Sequence, residues 1–362
     1  MSNWTNKSMC AKNMLCSYLL CNFSFGFHLC LRHAAYTSTV VFHVKIKLYS
    51  FHAMLINKMR ELLVYKLLVL TTISNLTKIV TAYSVLNKMN IELEQQFSKA
   101  PFPEWLAQFT QLQDWPGMDP PYIPLDFIDF SKIPEATHYN QLQCETVPRD
   151  ICSFDCHKCV ATDDILSCDS LTQTFDDGPT PATTDLLGNL NHKATFFTLG
   201  INIINYPQIY KAIIQRGHDV ASHTWSHAHL PSLSNEKIIA QLQWSIWAMN
   251  ATGNHIPRYF RPPFGGMDNR VRAIARQFGL QVVLWDRDSF DWQLLTPNPK
   301  TEEDILKDVC LWKKHDGRGI ILEHDTTKQT TDLAIKIERI IGLSQKTVAQ
   351  CVGGSNYIRQ FQ

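Results

Sequence analysis

The sequence predicts an α/β fold with a parallel sheet, preceded by an extended segment, and three observations support this prediction. From about residue 166 onward, short apolar runs typical of strands alternate with longer stretches typical of helices. Polar side chains follow several of these strand-like runs, at the position where parallel barrels carry their active sites. Residues 83–165 contain many prolines and aromatics with poor helical periodicity, which predicts a cysteine-containing cap wrapped on the main fold.

Strands and helices are predicted in turn along this part of the chain. The predicted strands are the strand-like runs Leu171–Phe175, Ala194–Leu199, His218–Ser222, Gln281–Trp285 and Gly319–Leu322, with a shorter run at Tyr259–Phe260. The helical stretches lie near Thr183–Asn191, Pro207–Arg216, Asn235–Asn250, Asn269–Phe278, Thr301–Lys313 and Leu333–Ile341. Because helices separate the strands, we expect consecutive strands to run parallel.

Composition and charge narrow the classes of function. The chain has 362 residues, enough for one large domain or two, and 45% of them are hydrophobic, an ordinary globular value. The formal net charge of +1 offers no electrostatic footprint for nucleic acid. We therefore expect no nucleic-acid partner.

The segment Gln173-Thr-Phe-Asp-Asp-Gly-Pro179 places two carboxylates where a strand-like run stops at a Gly-Pro break. Two crowded carboxylates can take different roles, one binding a metal and the other acting as a base. By itself the segment is also compatible with an ordinary turn, because Asp, Gly and Pro serve turns for structural reasons. Its interpretation therefore depends on the motifs farther along the chain.

A histidine pair lies at His223-Thr-Trp-Ser-His227, where the two imidazoles are four positions apart. Together with Asp177, these histidines make a ligand set that suits zinc or another divalent ion. A zinc peptidase helix would carry glutamate directly after the first histidine, but Thr224 occupies that position. The base must then come from elsewhere, and Asp176 is the candidate.

Three more segments complete a recognisable order, each after a strand-like run: Arg261-Pro-Pro-Phe-Gly265, Asp288-Ser-Phe-Asp-Trp292 and Leu322-Glu-His324. In this order the five segments resemble the motifs of the polysaccharide deacetylases, the NodB-homology domain of carbohydrate esterase family four. The resemblance covers about residues 166–350. Beyond the motifs, the lead-in Phe102–Leu125 and the run Trp244–Asn250 are similar to the fungal chitin deacetylases.

The resemblance implies a fold, an activity and a cofactor. The fold is a distorted parallel (β/α) barrel with fewer strands than the regular eight, carrying an N-terminal cap. The activity is metal-dependent removal of N-acetyl groups from the N-acetylglucosamine units of chitin, giving chitosan and acetate in cell or spore wall formation. The metal is zinc, although Asp177, His223 and His227 would also accept cobalt or manganese.

The resemblance also implies roles that amide hydrolysis requires. Asp176 would take a proton from the attacking water, and Arg261 would pair with Asp176 and keep it ionised. His324 would protonate the leaving nitrogen, and Asp291 would favour the protonated form of His324.

Three further residues are implied to contact the substrate. The backbone amide of Phe264 would contribute to the oxyanion hole, and a tyrosine is common there in the family, so phenylalanine should be tolerated. Trp292 and Leu322 would line a small apolar pocket for the acetyl methyl group. Three other histidines match no motif and are interpreted as structural, namely His218, His229 and His255.

Two alternative functions remain open at the level of sequence. The motifs contact a single sugar unit, so chito-oligosaccharides or another acetylated glycan are compatible substrates. A non-catalytic wall protein that binds glycan through the same groove is a second alternative. Every expected catalytic position is filled, which favours an enzyme.

Cysteines indicate an oxidising compartment. Six of them are candidates for disulfides, namely Cys144, Cys152, Cys156, Cys159, Cys168 and Cys351. The pair Cys156-His-Lys-Cys159 also fits a zinc site, but the other signs of secretion favour disulfides. Cys310 lies in an apolar helical stretch and is predicted to be a buried, unpaired thiol. The connectivity cannot be read from sequence.

The region before the cap predicts secretion. A signal peptide is predicted over residues 59–82. The segment Met59–Ile73 has a short charged start and an apolar run, and Val80-Thr-Ala82 offers small residues for cleavage. Because this segment is internal, we expect residues 1–58 to be absent from the mature protein, with translation starting at Met54 or Met59. The protein is then extracellular or part of the cell or spore wall.

Two further features bear on the mature protein. Residues 14–31 are marginally long enough to span a membrane but contain polar residues, so no stable transmembrane segment is expected in the mature form. Asn250-Ala-Thr252 is a glycosylation sequon and predicts a glycan on Asn250.

Overall fold

The computed structural model describes residues 58–59, 98–297 and 300–361. From residue 98 onward the described residues belong to one compact unit. The predicted signal peptide, the upstream region and the first part of the predicted cap, up to residue 97, lie outside the described residues apart from positions 58–59. No helix within the described ranges is long and apolar enough to cross a membrane.

Strands and helices alternate through most of this unit, as the sequence predicts. The strands are β1 (Leu171–Asp176), β2 (Thr195–Thr198), β3 (Asp219–Ser222), β4 (His255–Pro257), β5 (Tyr259–Phe260), β6 (Gln281–Val282), β7 (Arg287–Asp288), β8 (Gly319–His324) and β9 (Tyr357–Gln360). The helices are α1 (Glu104–Thr110), α2 (Phe154–His157), α3 (Pro181–Asn189), α4 (Gly200–Asn205), α5 (Pro207–Gln215), α6 (Asn235–Gly253), α7 (Asn269–Gln277), α8 (Glu302–His315), α9 (Lys328–Ile341) and α10 (Val348–Cys351).

Seven strands form one parallel sheet in the order β6-β5-β3-β2-β1-β8-β7. The two edge strands, β6 and β7, are separated by residues 283–286. Seven flat strands about 4.8 Å apart would place the edges roughly 29 Å from each other, whereas this linker spans at most about 18 Å. The sheet must therefore curl, and the predicted distorted barrel with fewer than eight strands is confirmed.

The centre of the sheet is buried on both faces. All six residues of β1 are buried although four of them are polar, and the side chains of Gln173 and Thr174 hydrogen-bond to backbone carbonyls within the fold. Phe175 packs on Phe196 of β2 with ring centroids 5.1 Å apart, under the helices on one face. Thr174 and Asp176 point to the opposite face, because successive side chains of a strand alternate. The side chains of Thr174 and Asp176 therefore face the inside of the curled sheet.

Some elements differ from the sequence prediction for physical reasons. Strand β7 was not predicted because its two residues, Arg287 and Asp288, are charged, and its pairing with β8 defines it. Strand β6 ends at Val282, earlier than the predicted Trp285. Helix α9 begins at Lys328, before the predicted Leu333, because Thr327 forms a capping box with Thr330.

The described part of the predicted cap, residues 98–165, packs on α6 and the loop before it through indole hydrogen bonds. Trp225 donates its Nε1–H to the carbonyl of Gly117 at 2.7 Å, and Trp244 donates to the carbonyl of Pro121 at 2.8 Å. Trp115 packs against both of these tryptophans. The domain limits placed at residues 83, 165 and 350 remain predictions.

Three disulfides join the six predicted cysteines: Cys144–Cys156, Cys152–Cys159 and Cys168–Cys351. Cys156 and Cys159 are therefore bonded to different partners and do not form a zinc pair. The prediction that Cys310 is an unpaired thiol is wrong, because Cys310 is disulfide-bonded. Its apolar neighbours on α8 indicated burial, but pairing depends on tertiary proximity that the helix pattern does not contain.

Candidate active site

The residues of the five motifs meet at the carboxyl end of the sheet. Asp176 ends β1 and His324 ends β8, and the register of the two strands places these residues directly opposite each other. His223 follows β3, and Arg261 follows β5, whose Phe260 is in register with Ser222 of β3. Because the strands are parallel, their last side chains converge on one end of the barrel.

Asp176 is buried in an ion pair. It is 2% exposed, and its Oδ1 accepts a hydrogen bond from Nη1 of the fully buried Arg261 at 2.7 Å. The same Nη1 donates to Thr174 Oγ1 at 2.8 Å, and the guanidinium lies over the Phe197 ring at 4.0 Å. The other oxygen of Asp176 lies 3.7 Å from His223 Nε2. One oxygen is thus held by the cation, and the other faces the histidines.

Three ligand atoms converge beside Asp176. Oδ1 of Asp177 lies 3.3 Å from His223 Nε2 and 3.2 Å from His227 Nε2, and all three atoms lie within 4.8 Å of one another. Asp177 Oδ1 is buried and has no hydrogen-bond partner. Ligands about 2.1 Å from a tetrahedral zinc ion are about 3.4 Å apart. The spacing of these atoms therefore fits a divalent cation bound between them.

The protonation of the three side chains also fits a cation. His223 Nδ1 lies 2.8 Å from the carbonyl oxygen of Arg261, so Nδ1–H donates there and Nε2 keeps its lone pair toward Asp177. Burial lowers the pKa of His227 to about 4, so this ring is neutral at neutral pH. Burial opposes ionisation of Asp177, but the two facing imidazoles hold its pKa below the ordinary value. A neutral His227 imidazole and an ionised Asp177 carboxylate are the forms that bind a divalent metal.

His324 is held by both oxygens of Asp291. Asp291 Oδ1 lies 2.7 Å from His324 Nδ1, and Asp291 Oδ2 accepts from the backbone N–H of His324 at 2.7 Å. Burial alone would lower the pKa of His324, but the Asp291 carboxylate, with Asp177 and Asp176 contributing, raises it to about 10. This arrangement keeps the imidazole protonated and fixes its orientation, with Nδ1 toward Asp291 and Nε2 available to the site.

The three predicted substrate contacts lie around this group with different exposure. Phe264 is 48% exposed, and its ring meets the His227 ring edge-on at 4.4 Å between centroids. Trp292 is 47% exposed and directly follows Asp291. Leu322 is 6% exposed and lies two residues before His324 on β8, so both side chains point to the same face. The acetyl pocket itself stays a prediction.

Left-handed backbone conformations concentrate at this end of the molecule. Residues with positive φ that are not glycine and belong to or adjoin the motifs are Asp177 (77°), Thr224 (72°), His227 (63°), Phe264 (61°) and Phe290 (58°). Each such residue costs roughly 1–2 kcal/mol relative to the right-handed region. Strain of this kind persists at functional sites where surrounding contacts determine the conformation. The residue types gave no indication of it.

One buried carboxyl beside the site was not predicted. Asp325 directly follows His324 and is fully buried, and its Oδ2 accepts from Thr183 Oγ1 at 2.5 Å. Its carboxyl lies so close to Gly178 that a Cβ at this position would clash with it. Burial raises the pKa of Asp325 to about 7. The only signal in the sequence was that Asp325 follows His324. An aspartate at the end of a strand is equally typical of an ordinary turn, so this position did not stand out.

The remaining predicted positions are less directly linked to the site. His255 is buried and forms a hydrogen bond of 2.8 Å with the Tyr210 hydroxyl, and burial lowers the pKa of His255 to about 4. His218 is likewise buried. Asn250 lies half-buried in the last turns of α6, and Thr252 of its sequon is buried. Glycosylation of Asn250 remains a prediction.

Comparisons with known proteins agree with this geometry. Residues 164–283 match the family model described as polysaccharide deacetylase. The chain is 61% identical over 270 residues to a Saccharomyces cerevisiae protein named Chitin deacetylase 2, and the match covers 74% of this chain and 86% of that protein. Chitin deacetylase 1 of the same yeast is 57% identical over 264 residues, covering 73% and 87%.

A solved structure supports the fold. The chitin deacetylase from the fungal pathogen Colletotrichum lindemuthianum superposes on this chain with a TM-score of 0.50 and 26% sequence identity. The match covers 55% of this chain and 96% of the solved one. The similar part is therefore nearly the whole of that enzyme and about half of the present chain.

Proposed function

The chain belongs to the polysaccharide deacetylase family, and we propose that it removes N-acetyl groups from the N-acetylglucosamine units of chitin, giving chitosan and acetate. It is a carbohydrate esterase that hydrolyses an amide bond. The observation that carries the proposal is the convergence of Asp177, His223 and His227 beside the ion-paired Asp176. Amide hydrolysis needs both an activated water and a base, and this group of residues provides for both.

The family is metal-dependent, and the group of Asp177, His223 and His227 suits a divalent ion, for which we propose zinc. Cobalt or manganese would satisfy the same donor set. Such a cation supplies polarisation of the acetamide carbonyl and lowers the pKa of water. The buried, unpartnered Oδ1 of Asp177 and the lone pair of His223 Nε2 support this assignment.

Asp176 is the proposed general base. Its Oδ1 is committed to Arg261, so Oδ2, which faces His223, is the oxygen that takes a proton from the attacking water. Arg261 pairs with Asp176 through a charge-assisted hydrogen bond inside a buried site and fixes the orientation of its carboxylate. Its own position is fixed by Thr174 and the Phe197 ring.

His324 is the proposed general acid. The proton on its ring is stabilised by Asp291, and Nε2 donates it to the nitrogen that leaves the acetyl carbon. Register across β1 and β8 puts His324 beside Asp176, so base and acid flank the same carbonyl. General acid–base assistance of this kind contributes about 10²–10⁴-fold in rate.

The reaction also needs protein contacts to the oxyanion that forms on the acetyl carbonyl and to the acetyl methyl group. The backbone N–H of Phe264 is the proposed protein donor to the oxyanion, and Phe264 lies in a tight turn with a positive φ. Leu322 and Trp292 are the proposed walls for the acetyl methyl group. Leu322 supplies a buried apolar surface near His324, and Trp292 supplies a half-exposed ring next to Asp291.

Polymeric chitin is the proposed substrate because the matches to the two yeast relatives named chitin deacetylase cover most of this chain. We also propose that the protein is secreted and acts at the cell or spore wall. Three disulfides among the described cysteines support an oxidising compartment. Chito-oligosaccharides remain compatible with a site that contacts one sugar.

The test measures acetate released from a soluble chitin derivative by the purified protein. The assay runs with chelator, after re-addition of zinc, and with the variants Asp176→Asn and Asp332→Asn. Asp332 is 53% exposed on α9 and serves as the matched surface control. We expect release that chelator abolishes, zinc restores, Asp176→Asn loses and Asp332→Asn keeps.

Two other outcomes would change the proposal. Release from oligomers but not from the polymer would move the substrate to chito-oligosaccharides. If a folded, metal-loaded protein releases no acetate from either, the enzyme acts on another acetylated glycan or the protein only binds glycan. Release that persists in Asp176→Asn would overturn the assignment of the base.

A further inference from the structure

The loop that carries the Phe264 amide is bound along its length by a cysteine-rich segment. We call residues 262–267 the Phe264 loop and residues 139–159 the knotted segment, because the disulfides Cys144–Cys156 and Cys152–Cys159 close short rings within it. These rings have sequence separations of 12 and 7. None of the motifs includes the knotted segment.

The contacts follow the Phe264 loop in order. Gln141 donates its Nε2–H to the carbonyl of Phe264 at 3.5 Å, and the backbone N–H of Phe154 donates to the carbonyl of Met267 at 3.0 Å. Just beyond the loop, Arg272 donates to the carbonyls of both Cys152 and Cys159, at 2.6 and 3.1 Å. The Cys152–Cys159 ring is thereby fixed to the start of α7, immediately after the loop.

Two glycines let the loop approach these contacts closely. A Cβ on Gly265 would lie 2.9 Å from the Phe154 ring, and a Cβ on Gly266 would lie 2.8 Å from the His229 ring. Gly265 also has a φ of +69°, and it follows Phe264 at +61°. Glycine adopts a positive φ freely, so Phe264 is the strained residue of the two, and the contacts of these rings with its neighbours support its conformation.

His229 connects the knotted segment to the metal side of the loop. Its Nε2 lies 2.8 Å from Asp155 Oδ2, and Asp155 Oδ1 accepts hydrogen bonds from Ser153 Oγ at 2.7 Å and Tyr139 Oη at 2.9 Å. The His229 ring lies 6.3 Å from the Phe264 ring. His229 is two residues after His227, and its sequence position gave no sign of this hydrogen-bond network.

We propose that His229, held by Asp155 of the knotted segment, is a positioning residue for the Phe264 amide in the deacetylation reaction. The proposal rests on the proposed function. Asp155 orients the imidazole, the imidazole supports Gly266 and Phe264, and the strained Phe264 backbone then points its N–H at the site. His229 acts through the loop, because its Nε2 is bonded to Asp155 and its Nδ1 is buried, so neither ring nitrogen is presented to a substrate.

A positioning role predicts a specific kinetic pattern. Misplacing a donor that acts on developing charge lowers kcat without weakening ground-state binding. Displacement of a catalytic group by about 1 Å can cost about 100-fold in rate. We therefore expect His229→Ala to lower kcat by about 10- to 100-fold, with KM and bound metal unchanged.

The experiment compares the purified full-length protein with His229→Ala, His229→Gln and His315→Ala. Glutamine places an N–H near the position of His229 Nε2 and should recover most of kcat by donating to Asp155. His315 is 85% exposed and is the matched histidine control. Each protein is measured for kcat, KM, metal content and hydrogen–deuterium exchange of peptides covering residues 262–267.

We expect faster exchange in the Phe264 loop and lower kcat for His229→Ala, with both values near wild type for His229→Gln and His315→Ala. An unchanged kcat together with unchanged exchange overturns the proposal, as does a change confined to KM or a loss of metal. If the wild type releases no acetate, the proposed function fails, and the exchange of His229→Ala alone decides whether His229 holds the loop.

Discussion

The two ends of the barrel are built differently. At the amino end, Cys168 before β1 is bonded to Cys351 of α10, and around it lie apolar residues such as Ile165, Val348 and Ala349. At the carboxyl end, buried ionisable groups and left-handed residues crowd together. The first end closes the fold over a sequence separation of 183 residues. The second end holds the chemistry and costs stability.

The difference shows how the chain separates two tasks. Apolar burial stabilises a fold in proportion to the area removed from water, and a long-range cross-link stabilises it by constraining the unfolded chain. A reaction centre requires particular atoms at particular distances, and here they are provided by charged side chains that water would otherwise solvate. Substitutions at the two ends should therefore separate effects on stability from effects on activity.

The largest effect is expected for Arg261→Met. This change removes the cation beside Asp176 and keeps a side chain of similar volume in a fully buried position. Leaving one buried charge unpaired costs about 3–5 kcal/mol of unfolding free energy, and loss of the base lowers kcat/KM by about 10²–10⁴-fold. Urea unfolding and acetate release measure both. A variant that kept its activity would place the base elsewhere.

A smaller, pH-dependent effect is expected for Asp291→Asn. The Asp291 carboxylate keeps the pKa of His324 high, at about 10, so its removal lets burial lower that pKa. The protonated fraction of His324 then declines as pH rises through the lowered value. Activity should fall by about 10- to 100-fold at alkaline pH, and less at acidic pH.

The check on Asp291→Asn is the pH dependence of kcat/KM. Its alkaline limb should move to lower pH than in the wild type. A uniform loss at every pH would instead indicate that Asp291 mainly orients His324 through the backbone N–H.

Removing one disulfide at each end of the barrel allows the effects on stability and on activity to be compared directly. By loop-closure entropy, Cys168–Cys351 contributes about 5 kcal/mol and Cys152–Cys159 about 2.4 kcal/mol. Replacing Cys168 and Cys351 by serine should lower Tm more, with kcat per folded molecule unchanged. Replacing Cys152 and Cys159 should lower Tm less and kcat more, because this ring holds the Phe264 loop. If the two double variants showed equal changes in Tm and equal changes in kcat, the proposed difference between the two ends would be wrong.

The sequence predicted the elements that have a recognisable local pattern of residues. Strands β1 and β8 were recognisable as strand-like runs, and the motif residues follow or end such strands, so the carboxyl-end location of the site could be inferred. Strand β7 could not be inferred, because Arg287 and Asp288 become a strand only by pairing with β8. Helix α4 was missed because its six residues are too few for a helical period to show.

The residues of the candidate site could be proposed from the sequence, but the contacts that hold them in place could not. Asp176, Asp177, His223 and His227 stand out as types with metal and base chemistry. The Asp155–His229 hydrogen bond joins residues 74 positions apart, and no local pattern signals such a pair. The oxidation of Cys310 is similar, since an apolar helix neighbourhood says nothing about a distant sulfur.

The smallest effect is expected for Phe264→Tyr. The proposed contribution of Phe264 is its backbone N–H, whose direction depends on the positive φ and on the contacts of the Phe264 loop. The ring is 48% exposed, so an added hydroxyl can extend into solvent without displacing the His227 ring. We expect kcat to stay within about threefold of wild type, as measured by acetate release. A loss as large as that of His229→Ala would mean that the ring itself, and not the amide, is what the knotted segment holds in place.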